Sequence, residues 1–239
     1  MRDGIVLFPF FAVWWITATI PLLKTYKQKH YITRQSKAIQ DSFKRLGITL
    51  KNVRNEKKIF LFLLAFFFYI DGVYTIIDMA TAYGTALGLD STGLLLALLV
   101  TQLVAFPFAI LFGRLSNRYD TEKMILICIA AYFGIAVFAM FLKEQWQFWF
   151  LAILVGMFQG GIQALSRSYF TKIIPAEKTG EYFGLMDICG KGASFLGTIV
   201  ISLVSQFTGQ VNIGVGAISL FFILGMIVFK MSTVETTSM

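Results

Sequence analysis

The sequence predicts an all-α integral membrane protein with seven transmembrane spans, and three observations carry that prediction. Of 239 residues, 57% are hydrophobic and only 14% are charged, with a mean hydropathy of +0.72. A soluble domain is about a quarter charged, so this chain has too little polar surface for water to cover it. Crossing about 30 Å of hydrocarbon as a helix takes roughly 20 apolar residues, and runs of about that length occupy 4–23, 59–83, 91–112, 124–142, 147–166, 182–206 and 213–230. None alternates apolar and polar residues as the strands of an outer-membrane barrel would.

The first run, "GIVLFPFFAVWWITATIPLL", follows Arg2 and could pass for a signal peptide. Its length, its Trp and Phe content, the lack of a small-residue cleavage site and the basic residues behind it mark a retained helix. Residues 24–58 form a basic loop: eleven of the 21 Lys and Arg lie between Lys24 and Lys58, with only Asp41 and Glu56 among them. Basic residues near span ends collect on the cytoplasmic side, which places this loop inside. Alternation then puts Arg114, Arg118, Lys123, Arg167, Lys172, Lys178 and Lys230 near the same side, while the outer loops 84–90, 143–146 and 207–212 carry only the basic Lys143. The expected orientation is N-terminus out and C-terminus cytoplasmic. The net charge of +8 is thereby assigned to topology, and no nucleic-acid partner is expected. Within the loop, Ile39, Phe43, Leu46 and Leu50 recur at helical spacing among basic residues, which fits an amphipathic helix on the anionic inner leaflet or a solvated linker.

Charges inside spans need a reason. A charge at the bilayer centre costs roughly 2.5–3.5 kcal/mol on insertion scales. In "FFFYIDGVYTIIDMATAYG", Asp71 falls near mid-membrane and Asp78 almost two turns on, so both are expected on one face turned to a cavity, flanked by the Tyr69 and Tyr74 hydroxyls. They are candidates to hold a proton or a cationic group, or to pair with a neighbouring base. In "GMFQGGIQALSRSYF", Gln159, Gln163 and Arg167 align along one side of the fifth span of the chain, with Gly156 and Gly160 on an adjacent strip suited to close helix contact. Arg167 is expected at the cytoplasmic end, lining a gate or snorkelling. In "YFGLMDICGKGASFLG", Asp187 and Lys191 stand at i and i+4, a spacing at which side chains meet, as strut or as gate. Cys128 and Cys189 lie in spans and the lone histidine, His30, in the basic loop, so neither a disulfide framework nor a metal site is expected. No phosphate-binding loop, G-x-S-x-G or H-E-x-x-H motif is present. Neither an enzyme nor a cofactor is expected.

One span, a long basic loop and six further spans match the second part of a twelve-helix transporter built from two six-helix halves. The turn "GRLSNRYDTEKM" resembles the cytoplasmic loop signature of the major facilitator superfamily at Gly113, Leu115, Arg118 and Lys123. Asn117 stands where an acid is usual and Asp120 where a glycine is usual. "FFFYIDGVYTIIDMATAYG", "GGIQALSRSYFTKIIPAEKTGEYFGLMDICGK" and the Trp-Trp of "FAVWWITATIPLL" further resemble the vacuolar amino-acid effluxer-like family of that superfamily, over the C-terminal half of a member. The resemblance implies a major-facilitator-type six-helix C-terminal bundle and alternating access for a small polar solute, such as an amino acid. It implies a plasma membrane if the source is bacterial and a vacuolar membrane if fungal. Residues 1–23 would be the last helix of an N-terminal half, 24–58 the linker, 59–232 the bundle and 233–239 a cytoplasmic tail. The partners expected are the lipid bilayer, the solute, protons, and either the missing N-terminal half or a second copy. A dimeric half-sized transporter and a non-transporting membrane binding or regulatory protein are the alternatives.

Overall fold

The computed structural model describes residues 3–26, 47, 49–51 and 53–234. It divides into two units, Met1–Ile39 and Gln40–Met239. The first contains α1, Asp3–Thr25, with Pro9 and Pro21 inside it and Lys24 in its last turn. The hydroxyls of Thr17, Thr19 and Thr25 donate to the carbonyls of Val13, Trp15 and Pro21 at 2.7–2.8 Å, so each is satisfied within its own helix.

The second unit is a helical bundle: α2 (Lys57–Ala86), α3 (Ser91–Leu115), α4 (Thr121–Ala139), α5 (Gln145–Ile173), a 3₁₀ turn at Ala176–Lys178, α6 (Thr179–Gly192), α7 (Phe195–Thr208), α8 (Val211–Ala217) and α9 (Ser219–Val234). By length and composition six segments here are able to cross a membrane: α2 to α5 singly, Ala176–Thr208 as α6 with α7, and Val211–Thr233 as α8 with α9. The span expected to be continuous over 182–206 is two helices. Of the expected amphipathic segment, Ile39, Phe43 and Leu46 lie outside the described residues, as do most of the basic linker and residues 235–239; Leu50 is exposed.

Local chemistry sets the ends of the helices. Asp90 begins α3, its carboxylate accepting from the Gly93 amide at 2.6 Å. Asp120 begins α4 by accepting from the Glu122 amide at 3.1 Å, which gives the acid in the glycine position of the loop signature a capping role. Before α5, the Gln147 side-chain oxygen accepts from the amides of Lys143 and Glu144.

α2 is the hub, touching α3 to α9. Of its most apolar stretch 61% is buried within the chain, against 17% for α3 and for the α6–α7 span. At its Lys57 end, Phe62 packs on Phe170 and Tyr169 with ring centroids 5.4 and 5.2 Å apart. At mid-length the Tyr69 hydroxyl meets Ser166 of α5 at 2.6 Å, and near the Ala86 end Tyr83 donates to the Ala139 carbonyl at 2.6 Å. α3 is held by α5 through the glycine strip: a Cβ on Gly156 would come within 2.6 Å of the Thr101 carbonyl, and one on Gly160 within 2.7 Å of the Ala109 Cβ. The Thr101 hydroxyl also lies 3.2 Å from the Ala152 carbonyl. The residues before α2 close the Lys57 end, with Thr49 donating to Glu181 at 2.6 Å and Tyr182 to Glu56 at 3.2 Å.

Replacing Gly160 by Val is expected to destabilise the bundle by about 1–3 kcal/mol through overpacking. Gly134→Ala, where a Cβ meets nothing within 4 Å, is expected to be neutral or to stabilise by up to about 1 kcal/mol. Denaturant unfolding in detergent micelles reads both; equal effects would contradict the α3–α5 packing described.

Candidate functional site

The polar residues of the spans separate into a half-exposed group and a buried one. In the first, Arg167 of α5 donates to Asp187 of α6 at 3.1 Å, with the two side chains 55% and 50% exposed. By helix rise they lie roughly 9–12 Å in from the Lys57 end of their helices. Tyr74 of α2, half-buried, is within electrostatic reach of Arg167, Asp187 and Asp78. Four of the expected residues are therefore gathered on one face of the bundle. Gln163, half-buried, stands one turn before Arg167 on α5; Gln159 is half-buried one turn earlier still, with its side-chain oxygen buried and unpartnered.

Two expectations are corrected here. Asp187 pairs across helices with Arg167 and not along its own helix with Lys191. Lys191 is exposed in the last turn of α6, where its charge faces the carbonyl end of the helix dipole. Asp71 and Asp78 do not share an environment: Asp78 is exposed, while Asp71 is fully buried with neither oxygen hydrogen-bonded. Seven residues fix nearly the same angle about the axis, but what covers that angle changes along the helix.

What covers Asp71 is the break between α6 and α7. Asp71 is central in a 30-residue helix, and the break separates two helices of 14 residues each. Ala193 is extended and Ser194 takes a left-handed conformation, φ 74°, which costs an L-residue about 1–2 kcal/mol. The amides of Ser194 and Gly197 are the backbone groups that act on the Asp71 carboxylate, short of hydrogen-bond geometry. Gly197 packs directly on the side chain of Thr75, whose hydroxyl is also buried and unpartnered. The sequence carries no signal for Thr75 or Ser194; Gly184, Gly190, Gly192 and Gly197 mark the helix as narrow and flexible without saying where it breaks. Beyond Thr75, towards the Ala86 end, lies a cavity of about 70 Å³ with almost wholly apolar walls, including Ile76, Leu98, Phe148 and Ile201. It offers a polar molecule little to bind.

In the loop between α3 and α4, Gly113, Arg118 and Lys123 are exposed, and Arg118 borders a surface cleft of about 430 Å³ with Arg114 and Asn117. They stand apart from the group around Tyr74.

Six candidate spans and polar groups drawn together inside them define a multi-pass α-helical membrane protein. Residues 5–238 match the family described as "Vacuole effluxer Atg22 like", and the chain belongs to that family, one of transporters and not of enzymes. It is similar to the uncharacterized MFS-type transporter YxiO of Bacillus subtilis, 44% identical over 95% of this chain and 53% of that protein. It is also similar to autophagy-related protein 22 of Kluyveromyces lactis, 25% identical over 95% of this chain and 50% of that protein, and to that of Vanderwaltozyma polyspora, 24% identical over 95% and 49%. The chain thus spans about half the length of the curated relatives it matches.

A double-mutant cycle tests the pairing. Arg167 and Asp187 are expected to couple by about 0.2–1 kcal/mol, the range for exposed ion pairs, and Asp187 and Lys191 by nothing measurable. The reverse ranking would contradict the cross-helix pair.

Proposed function

We propose that this chain is the C-terminal part of a secondary-active permease or effluxer that moves small polar solutes, with amino acids as cargo, by alternating access. The observation that carries the reading is the Arg167–Asp187 pair beside Tyr74 and Asp78 on a half-exposed face within the spans. A free amino acid carries one carboxylate and one ammonium. The Arg167 guanidinium suits the carboxylate, which it can bind through two parallel hydrogen bonds; Asp187 and Asp78 suit the ammonium. Such a solute replaces an ion pair the protein already makes, so neither charge is left unpaired when the site empties. The Tyr74 hydroxyl and the Gln163 amide would set its orientation.

This face is one wall. Substrates of two-half transporters bind near the midplane between the halves, and the half-length match to the relatives supports a second wall made by an N-terminal half or by a second copy of this chain. In this reading α1 is the last helix of the other half and a seventh span. The basic residues from Lys24 to Lys58 support an orientation with the Lys57 end of the bundle, and the C-terminus, on the cytoplasmic side.

The test is amino-acid flux in sealed vesicles containing this chain, with and without a family N-terminal half. Arg167→Lys keeps the charge and loses the paired geometry; it is expected to lower flux about tenfold, the equivalent of 1.4 kcal/mol. Unchanged flux would remove Arg167 from the solute site. No amino-acid flux in either preparation would contradict the proposed cargo.

A further inference from the structure

Asp71 remains unexplained by the solute face. A fully buried carboxylate with no hydrogen bond is among the least favourable arrangements a low-dielectric interior can hold. Its surroundings show how it is tolerated. The hydrogen-bond ladder of α7 starts with the Thr198 amide on the Ser194 carbonyl at 3.2 Å, so the first-turn amides ahead of it have no acceptor within α7. Two of the amides at this end, those of Ser194 and Gly197, are the ones that act on Asp71. An orphan carboxylate thus faces the positive end of a helix, with the orphan hydroxyl of Thr75 one turn away on α2.

We propose that Asp71, Thr75 and the first turn of α7 form a proton-binding site, separate from the solute face, whose occupancy sets how tightly the broken helix is held. In the ionised state the carboxylate accepts from the Ser194 and Gly197 amides and clamps the start of α7. A proton taken from water converts it to a neutral carboxyl whose O–H donates to the Thr75 hydroxyl oxygen, and the attraction for the α7 amides falls away. One proton is bound, no other bond changes, and the proton returns to water when the site reopens.

The donors present select a proton over a metal ion. Two amide N–H groups repel a cation, and the side-chain oxygens left unpartnered here are the two of Asp71 and the one of Thr75, fewer than the six or so a hard cation takes. Among the described residues no three His, Cys, Asp or Glu side chains gather as a metal-binding group. No charged side chain among the described residues is one of the groups that act on Asp71. α7 and α8 contain no ionisable side chain, α3 carries only Arg114 and α9 only Lys230, both near helix ends. On α4 the charged residues are Glu122 and Lys123 in the first turn, with Cys128 and Tyr132 further along. On α5 Arg167 is taken by Asp187, the Tyr169 hydroxyl donates to Glu122, and Lys172 donates to Thr121. On α6 Glu181 accepts from Thr49, Tyr182 donates to Glu56, Cys189 is half-buried and Lys191 is exposed. Tyr69 on α2 itself is bonded to Ser166, and Tyr74 faces the Arg167 group.

The consequence for transport rests on the function proposed above. Asp187 lies on α6, one arm of the same broken helix, so a proton at Asp71 and a solute at Asp187 act on two sides of one hinge.

Proton binding is measured without transport. Infrared difference spectra of the protein in lipid nanodiscs, acidic minus alkaline, are expected to show a protonated-carboxyl C=O band that Asp71→Asn removes and Asp71→Glu retains at a shifted frequency. Thr75→Val is expected to shift the band by removing the acceptor. In hydrogen exchange, the amides at 194–197 are expected to be more protected when Asp71 is ionised, beyond the intrinsic pH effect, and Asp71→Asn is expected to abolish the difference. A wild-type spectrum with no band dependent on Asp71 would overturn the proposal, as would a band whose titration shifts with added sodium. A band without solute flux would leave this site standing and remove the transport reading; flux without the band would do the reverse.

Discussion

Backbone amides in hydrocarbon have no water to turn to, and that constraint governs where this bundle can depart from regular helix. Unbroken helices satisfy it internally, and the threonine and serine hydroxyls of the spans mostly follow, as Thr101 does to Ala97 and Ser166 to Ile162. A break in mid-span frees amides that only another part of the protein can face. Here the break at Ala193–Ser194 lies against the most buried of the six candidate spans, at the level where α2 carries Asp71. The left-handed Ser194, the close approach at Gly197 and the buried carboxylate meet in one place.

Around that contact the polar residues of the spans divide by burial. The Arg167–Asp187 pair is half-exposed, so it adds little to stability and can be exchanged for charges of a ligand at small net cost. Asp71 is buried within the chain, where gaining or losing one charge changes the energy far more. In the function proposed, the solute site has the first setting and the proton site the second. α6 and α7 join them in sequence, and α2 joins them in space.

The sequence made the class and most of the layout legible. Apolar runs located the six spans of the bundle, because the length needed to cross a bilayer is a strong constraint, and Asp90, Asp120 and Gln147 lie at the helix starts those runs imply. The glycine strip at Gly156 and Gly160 was readable because close packing depends on residue size alone. Cross-helix relations were not readable. Asp187 has Lys191 at helical spacing, and nothing in the chain says that Arg167, twenty residues earlier, is the nearer partner. Asp71 and Asp78 are equivalent by periodicity and differ because neighbouring helices cover one and leave the other. The break itself was hidden by apolarity: "GKGASFLG" reads as a flexible stretch of a continuous span, and where it opens depends on what α2 presents to it.

The central claim, that α2 carries one exposed and one buried acid on nearly the same face, is most directly tested by cysteine accessibility. In a background with Cys128 and Cys189 replaced by Ser, single cysteines at Asp78, Asp187 and Asp71 would be exposed to a membrane-impermeant thiol reagent in sealed vesicles of both orientations. The account predicts labelling of Asp78→Cys and Asp187→Cys and protection of Asp71→Cys until the protein is unfolded. Labelling of Asp71→Cys as fast as Asp78→Cys would contradict it.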